Sequence, residues 1–230
     1  MDTQVFQMFC HRAFLDICAG YSAAAVNQDL CQTGHADAAD TDEINMLIFF
    51  ECCHICFRLN GILPDSIAIF DIFPVTDDAH ARFSAVRRTY EYHIVDHKDP
   101  FLCQQATRVR PGLDFDAMNE AAQLLIGKQD FASFCRTNTD VKTTICDLTR
   151  AEWREQGNGH AVFTIAADRF LRNMVRAVVG TLFEVGRGKM TKEQFAEVIT
   201  QHNRCAAGDS APAEGLFLVQ IDYPQELFLV

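Results

Sequence analysis

Two β-rich runs, Asp147 to Glu155 and Ala161 to Ala166, stand on either side of Gly157-Asn158-Gly159. Glycine and asparagine tolerate the positive φ that a tight hairpin demands, so this spacing predicts an antiparallel strand pair. A chain committed to such a pair must bury one face of a sheet against something. Candidate helices flank it. Asp116 is placed to cap a helix running through Ile126, with Gly127 just past its end. Arg169 to Val185 has amphipathic helical spacing and stops at Gly186, and Thr191-Lys192-Glu193-Gln194 has the form of a capping box that opens a helix to about His202.

Further strands are expected at Ser66 to Pro74, at the alternating run Thr89-Tyr90-Glu91-Tyr92-His93-Ile94-Val95, and at Leu216 to Tyr223, which Pro224 ends. The mixed order predicts an α+β fold, an antiparallel sheet with helices packed on one face. The expected division is an N-terminal α+β part over 1–100 and a C-terminal α+β part over 101–230 that carries the arginine-rich helix. The boundary between them is weak and lies around Pro100 and Pro111. Residues 1–60 are less regular. Phe6, Phe9, Phe14 and Ile17 have helical spacing, 32–43 reads as an acidic loop, and Met46 to Leu59 reads as a buried strand running into a helix.

Charge is unevenly spread along the chain. Residues 1–80 hold 12 acidic and 2 basic residues, whereas 81–230 hold 19 acidic and 18 basic, together giving the net charge of −11. A polyanion is repelled by the first stretch on average, but a local cluster in the second is able to hold one. The apolar run Met46 to Phe50 is far shorter than a membrane span, and Met1-Asp2-Thr3-Gln4 lacks the basic and apolar regions of a signal peptide, so a cytoplasmic protein is expected. In that compartment the ten cysteines stay reduced. Cys53-His54-Ile55-Cys56 has metal-ligand spacing, and Cys31, Cys52, Cys53 and Cys56 are the ligands a zinc-stabilised N-terminal region would use. No second pair with that spacing exists, so the expectation is free core thiols and no metal.

The basic residues of the second stretch fall in two groups. Arg82, Arg87 and Arg88 precede the Tyr90/Tyr92 strand, and Arg169, Arg172 and Arg176 are spaced to share one helix face beside Phe170 and Met174. Arginines interleaved with aromatic side chains suit RNA, with arginine on phosphate and the ring stacked on a base. The same stripe also fits a solvated helix face with snorkelling arginines.

At these residues a likeness becomes specific. His80-Ala-Arg-Phe-Ser-Ala-Val-Arg-Arg-Thr-Tyr-Glu-Tyr92 resembles the tRNA pseudouridine synthase A family. So do Arg169-Phe-Leu-Arg-Asn-Met-Val-Arg-Ala-Val-Val-Gly-Thr-Leu182 and Ala213-Glu-Gly-Leu-Phe-Leu-Val-Gln-Ile-Asp-Tyr-Pro224. Leu59-Asn-Gly-Ile-Leu-Pro64 and Asp130-Phe-Ala-Ser-Phe134 match in the same order. The likeness runs over about residues 57–224. It implies a pseudouridine-synthase-like fold and conversion of uridines on the 3′ side of the tRNA anticodon arm to pseudouridine. It also implies a homodimer, no cofactor or metal, and a target nucleotide flipped into a pocket.

The likeness further implies roles for single residues. Tyr90 matches the tyrosine that stacks on the uracil and serves proton transfer, and Arg176 matches the arginine that pairs with the catalytic aspartate. Arg82, Arg88, Arg169 and Arg172 are the candidate substrate-binding residues. The family carries its aspartate in Gly-Arg-Thr-Asp-Ala-Gly-Val-His-Ala, a segment this chain lacks. The nearest trace is Gly34-His35-Ala36-Asp37-Ala38-Ala39, which makes Asp37 the candidate nucleophile and Asp40 a second one. The N-terminal part is therefore expected to be truncated or degenerate, with its catalytic loop inside 1–56. The alternative function is a catalytically inactive tRNA-binding remnant of the family.

Overall fold

The computed structural model describes residues 54–136 and 142–229. Asp37, Asp40, Cys31, Cys52 and Cys53 lie outside them. The described residues fall into two compact units, one holding 54–85 with 223–229 and the other spanning Val86–Asp222. The segment 100–112 runs inside the second unit.

In the first unit a helical turn over 54–60 ends at the Leu59-Asn60-Gly61 motif. The Asn60 side chain imitates a strand neighbour for Ile69: its Oδ1 accepts the Ile69 N–H at 2.8 Å and its Nδ2 donates to the Ile69 carbonyl at 2.7 Å. The Cys56 thiol donates to the same carbonyl at 3.1 Å. The strand expected over 66–74 forms no ladder among the described residues. Among the described residues it is extended chain that meets 228–229 at its end, through the bridge between Val75 and Phe228 and the Leu229 N–H donated to the Pro74 carbonyl at 3.0 Å. Apolar alternation permits an extended backbone, but a strand also needs a partner edge. The Tyr223 hydroxyl donates to the Ala81 carbonyl at 2.6 Å, tying the C-terminal segment to the loop of Arg82.

The second unit is built on a six-stranded sheet. Its strands are β1 (Arg87–Val95), β2 (Thr107–Arg108), β3 (Gly127–Asp130), β4 (Ile145–Gly157), β5 (His160–Ala167) and β6 (Leu216–Asp222). The order is β2-β1-β5-β4-β3, with β6 sharing the β1 edge with β2. All pairs are antiparallel except the two-residue contact of β1 with β2. The hairpin forms where the Gly-Asn-Gly turn puts it, with Gly157, Asn158 and Gly159 all at positive φ.

The register fixes which side chains share a face. Tyr92 lies opposite Phe163, Ile94 opposite Ala161, and Trp153 opposite Phe163. These residues, with Ile165 and Leu148, belong to one buried core with Met118, Val178, Leu182, Phe183 and Phe195 from the helices α1 (Phe115–Ala122), α2 (Met174–Gly186) and α3 (Lys192–Thr200). Phe183 of α2 contacts both Trp153 and Tyr92 at ring-centroid distances of 5.9 and 6.3 Å. The expected mixed fold, a sheet packed with helices, is present.

Helix boundaries differ from the sequence expectation at both ends of α1, which stops at Ala122 before a 3-10 turn over Gln123–Leu125, and at the start of α2. The cap of α1 is Asp114, whose carboxylate accepts the Ala117 N–H at 2.9 Å, and Asp116 sits in the first turn beyond it. Helix α2 begins at Met174 rather than Arg169. Two local devices hold the preceding residues out of the helix. Asp168 Oδ1 accepts N–H groups from Asp147 and Arg169, at 2.8 and 2.7 Å, and Asn173 adopts a left-handed φ of 68°. A residue in that region cannot continue a right-handed helix. Arg169 and Arg172 therefore lie on the connection into α2, and the shared helix face expected for Arg169, Arg172 and Arg176 does not exist. The capping box at Thr191 and Gln194 is complete, with both reciprocal bonds formed.

Candidate functional site

Alternation along β1 puts Tyr90 on the same face as Tyr92, at the end of the strand where the connection from β5 to α2 arrives. Tyr90 is half-buried and meets Phe170 edge to face, with ring centroids 5.1 Å apart and planes at 84°. Burial pushes the Tyr90 phenol above its usual 10.0, against an opposing pull from the Arg88 guanidinium. The hydroxyl is thus a proton donor at neutral pH. Tyr92 is fully buried and pushed further, to about 12, chiefly by burial. Its hydroxyl is paired with Thr107 Oγ1 at 2.7 Å and donates to the Pro212 carbonyl at 2.8 Å.

The connection carrying Arg169 and Phe170 is anchored at Asp168. Besides the two N–H groups its carboxylate accepts, its own N–H donates to the Asp147 carbonyl at 3.1 Å, and Arg88 Nη1 donates to its carbonyl at 2.6 Å. Arg88 thus holds the backbone that presents Phe170 to Tyr90.

Arg176 lies in the first turn of α2. Its Nε–H donates to the Ala211 carbonyl at 2.6 Å, and the Ala211 N–H donates to the Arg176 carbonyl at 2.9 Å. The side chain is thereby oriented through Nε, and its Nη groups face no carboxylate among the described residues. Tyr92 feels the Arg176 charge, which draws its phenol pKa downward. The structure therefore brings Tyr90, Arg88, Arg169 and Phe170 together around the entry to α2 and sets Arg176 one turn along. Arg172 is exposed, and its carbonyl accepts the Arg136 N–H at 3.0 Å. Arg82 is exposed in the first unit, its guanidinium 5.5 Å from the Phe83 ring centroid.

Sequence reasoning missed Asp168, Arg204 and Ser210. Asp168 sits directly before the arginine run and was readable as a loop anchor, since aspartate commonly bonds nearby backbone N–H groups. Arg204 binds residues only three to six positions further on, in an irregular stretch with no periodic pattern to read, and Ser210 reaches Asn173, 37 residues away.

Among the described residues no group of three or more His, Cys, Asp or Glu is arranged to hold a metal ion. Cys103, Cys135, Cys146 and Cys205 form no disulfide among the described residues. No helix among the described residues is long and apolar enough to cross a membrane.

The comparisons agree with one another. A family model described as tRNA pseudouridine synthase matches residues 121–224. A relative from Bacteroides fragilis named tRNA pseudouridine synthase A is 53% identical over 171 residues, 74% of this chain and 68% of the relative. One of the same name from Bacteroides thetaiotaomicron is 46% identical over 224 residues, 96% of this chain and 79% of the relative. A third, from Azobacteroides pseudotrichonymphae, is 39% identical over 225 residues, 98% of this chain and 86% of the relative. The last two alignments take in most of the first 55 residues, where the quoted motifs fail. With identity at this level across nearly its whole length, the chain belongs to the tRNA pseudouridine synthase A family.

Proposed function

We propose that this chain is an isomerase that converts uridine to pseudouridine in the anticodon arm of tRNA, on its 3′ side. The identity to relatives named tRNA pseudouridine synthase A, sustained over most of the chain, carries this reading. The arrangement around β1 and α2 supports it.

The reaction rearranges one nucleotide. The N1–C1′ glycosidic bond breaks, the uracil turns, and C5 bonds to C1′. C5 gives up its proton and N1 gains one, so nothing is added or lost. An enzyme for this needs an acidic group acting at the nucleotide, a cation to keep that group ionised, and a positioned proton donor or acceptor at the ring. In this reading Asp37 supplies the carboxylate. Arg176 pairs with it through the Nη groups that Ala211 leaves free. Tyr90 covers the flipped uracil, and its hydroxyl serves proton transfer at C5, taking up the C5 proton as it passes its own on toward N1 or solvent. Arg169 and Arg172, on the connection into α2, meet backbone phosphates, as does Arg82. Arg88 is a further candidate for substrate contact, and it also holds the Asp168 carbonyl.

A homodimeric assembly, a cytoplasmic setting and the absence of a cofactor belong to the same reading, through the family likeness. Incubating the protein with an unmodified tRNA transcript and mapping carbodiimide adducts by primer extension tests the activity. Pseudouridine at anticodon-arm uridines is expected. Its absence alongside intact tRNA binding favours the inactive remnant. Sedimentation of the purified chain tests the dimer.

A further inference from the structure

Between α3 and β6 the chain runs as a strap over α2. It lies unusually close: a side chain at Gly180 would collide with the Asp209 carbonyl, and the Gly208 N–H donates to Thr181 Oγ1 at 3.0 Å. Arg204 starts this strap, in a turn whose first residue, Asn203, accepts the Cys205 N–H at 3.0 Å. The Arg204 guanidinium is turned inward onto the strap itself. Its Nη1 donates to the Gly208 carbonyl at 3.0 Å and more weakly to that of Ala207 at 3.4 Å, and its Nη2 donates to Ser210 Oγ at 3.0 Å. Ser210 Oγ also accepts from Asn173 Nδ2 at 2.6 Å. Asn173 is the left-handed residue that sets where α2 begins.

One residue beyond Ser210 is Ala211, whose carbonyl orients Arg176 through Nε and which is itself buried. One further along is Pro212, whose carbonyl takes the Tyr92 hydroxyl. We propose that Arg204 is a positioning residue for Arg176. By gripping 207–210 and joining them through Ser210 to Asn173, it fixes the Ala211 carbonyl relative to the first turn of α2, and so aims the Arg176 guanidinium.

The chemistry of arginine suits this task. A planar fork serves several acceptors at fixed angles, whereas a lysine ammonium is a single point with rotatable donors. Among the described residues Arg204 has no carboxylate partner, so its bonds go to two carbonyls and a hydroxyl. Small displacements matter at such a place, since a shift of about 1 Å in a positioned group is able to cost on the order of a hundredfold in rate.

The proposal rests on Arg176 acting at the substrate, and the test separates the two claims. The full chain is labelled with 15N, and the Arg176 Nε–H resonance is assigned as the signal lost in Arg176→Lys. In Arg204→Lys that resonance is expected to shift and exchange faster with solvent. Single-turnover pseudouridine formation should fall roughly tenfold while tRNA affinity changes less than about twofold. In the double variant Arg204→Lys/Arg176→Lys the rate should be no lower than in Arg176→Lys alone, because both changes remove one function.

Ser210→Ala, a milder change that keeps the carbonyl bonds of Arg204, should show the same signature at reduced size, and serves if Arg204→Lys folds poorly. An unmoved Arg176 Nε–H resonance in both variants overturns the proposal, as do losses that multiply in the double variant. A shifted resonance in a protein whose unmodified form makes no pseudouridine leaves the positioning role standing and rejects the catalytic reading instead.

Discussion

Arg176 and Ala211 hold each other by two hydrogen bonds, the Arg176 Nε–H to the Ala211 carbonyl and the Ala211 N–H to the Arg176 carbonyl. The pair joins the first turn of α2 to the strap that precedes β6. It leaves the far end of the guanidinium for a carboxylate or phosphate.

That geometry sets the expectation for Gly180. A methyl group there meets the main-chain carbonyl of Asp209, which has no flexible end to swing aside. Gly180→Ala is expected to lift the strap, lowering stability by about 1–3 kcal/mol. Turnover should fall more than tRNA affinity. Denaturant unfolding and single-turnover assays read the two effects.

Tyr90 invites a separation of ring from hydroxyl. Tyr90→Phe keeps the edge-to-face packing on Phe170, so its melting temperature should match the parent closely. If the phenol moves a proton, the rate falls by roughly a hundredfold or more. The pH profile carries a further sign. Because burial raises the phenol pKa above 10.0, the neutral hydroxyl that relays the proton persists through pH 9. A rate that declines with a midpoint below 9 from loss of this proton contradicts the assignment.

Tyr92 links pH to stability. Its folded pKa is raised from 10.0 to about 12, so the folded state holds the proton more tightly than the unfolded chain. The contribution is complete below pH 10 and is lost as pH rises toward 12. Tyr92→Phe should flatten alkaline unfolding across that window. At neutral pH it should cost about 1–3 kcal/mol, since the Thr107 hydroxyl and the Pro212 carbonyl lose their partner.

Much of the second unit is legible in sequence because the signals are local. The Gly157-Asn158-Gly159 turn, the Thr191/Gln194 capping box and the alternation from Thr89 to Val95 each specify backbone within a few residues, and each appears as expected. The start of α2 is not legible that way. Apolar spacing from Phe170 onward is compatible with helix, but the Asp168 carboxylate spends itself on Asp147, a neighbour only in the folded sheet. The arginine stripe fails with it, since it assumed one continuous helix. The expected strand over 66–74 finds no ladder partner among the described residues, and alternation by itself shows what a strand tolerates, not what pairs with it.

Arg172 gives the cleanest test of RNA contact, being exposed on the connection into α2. Arg172→Ala should weaken tRNA binding uniformly across sequences and reduce the salt slope of log Kd by about one. Filter binding between low and moderate salt measures both. An unchanged slope places Arg172 outside the RNA surface.

The most direct measurement is pseudouridine mapping on an unmodified tRNA transcript, with the parent chain and Asp37→Ala side by side. The account predicts pseudouridine on the 3′ side of the anticodon arm with the parent and none with the variant, while both still bind tRNA. Full activity in Asp37→Ala contradicts the choice of nucleophile, and no product from the parent on a tRNA it binds contradicts the enzymatic reading itself.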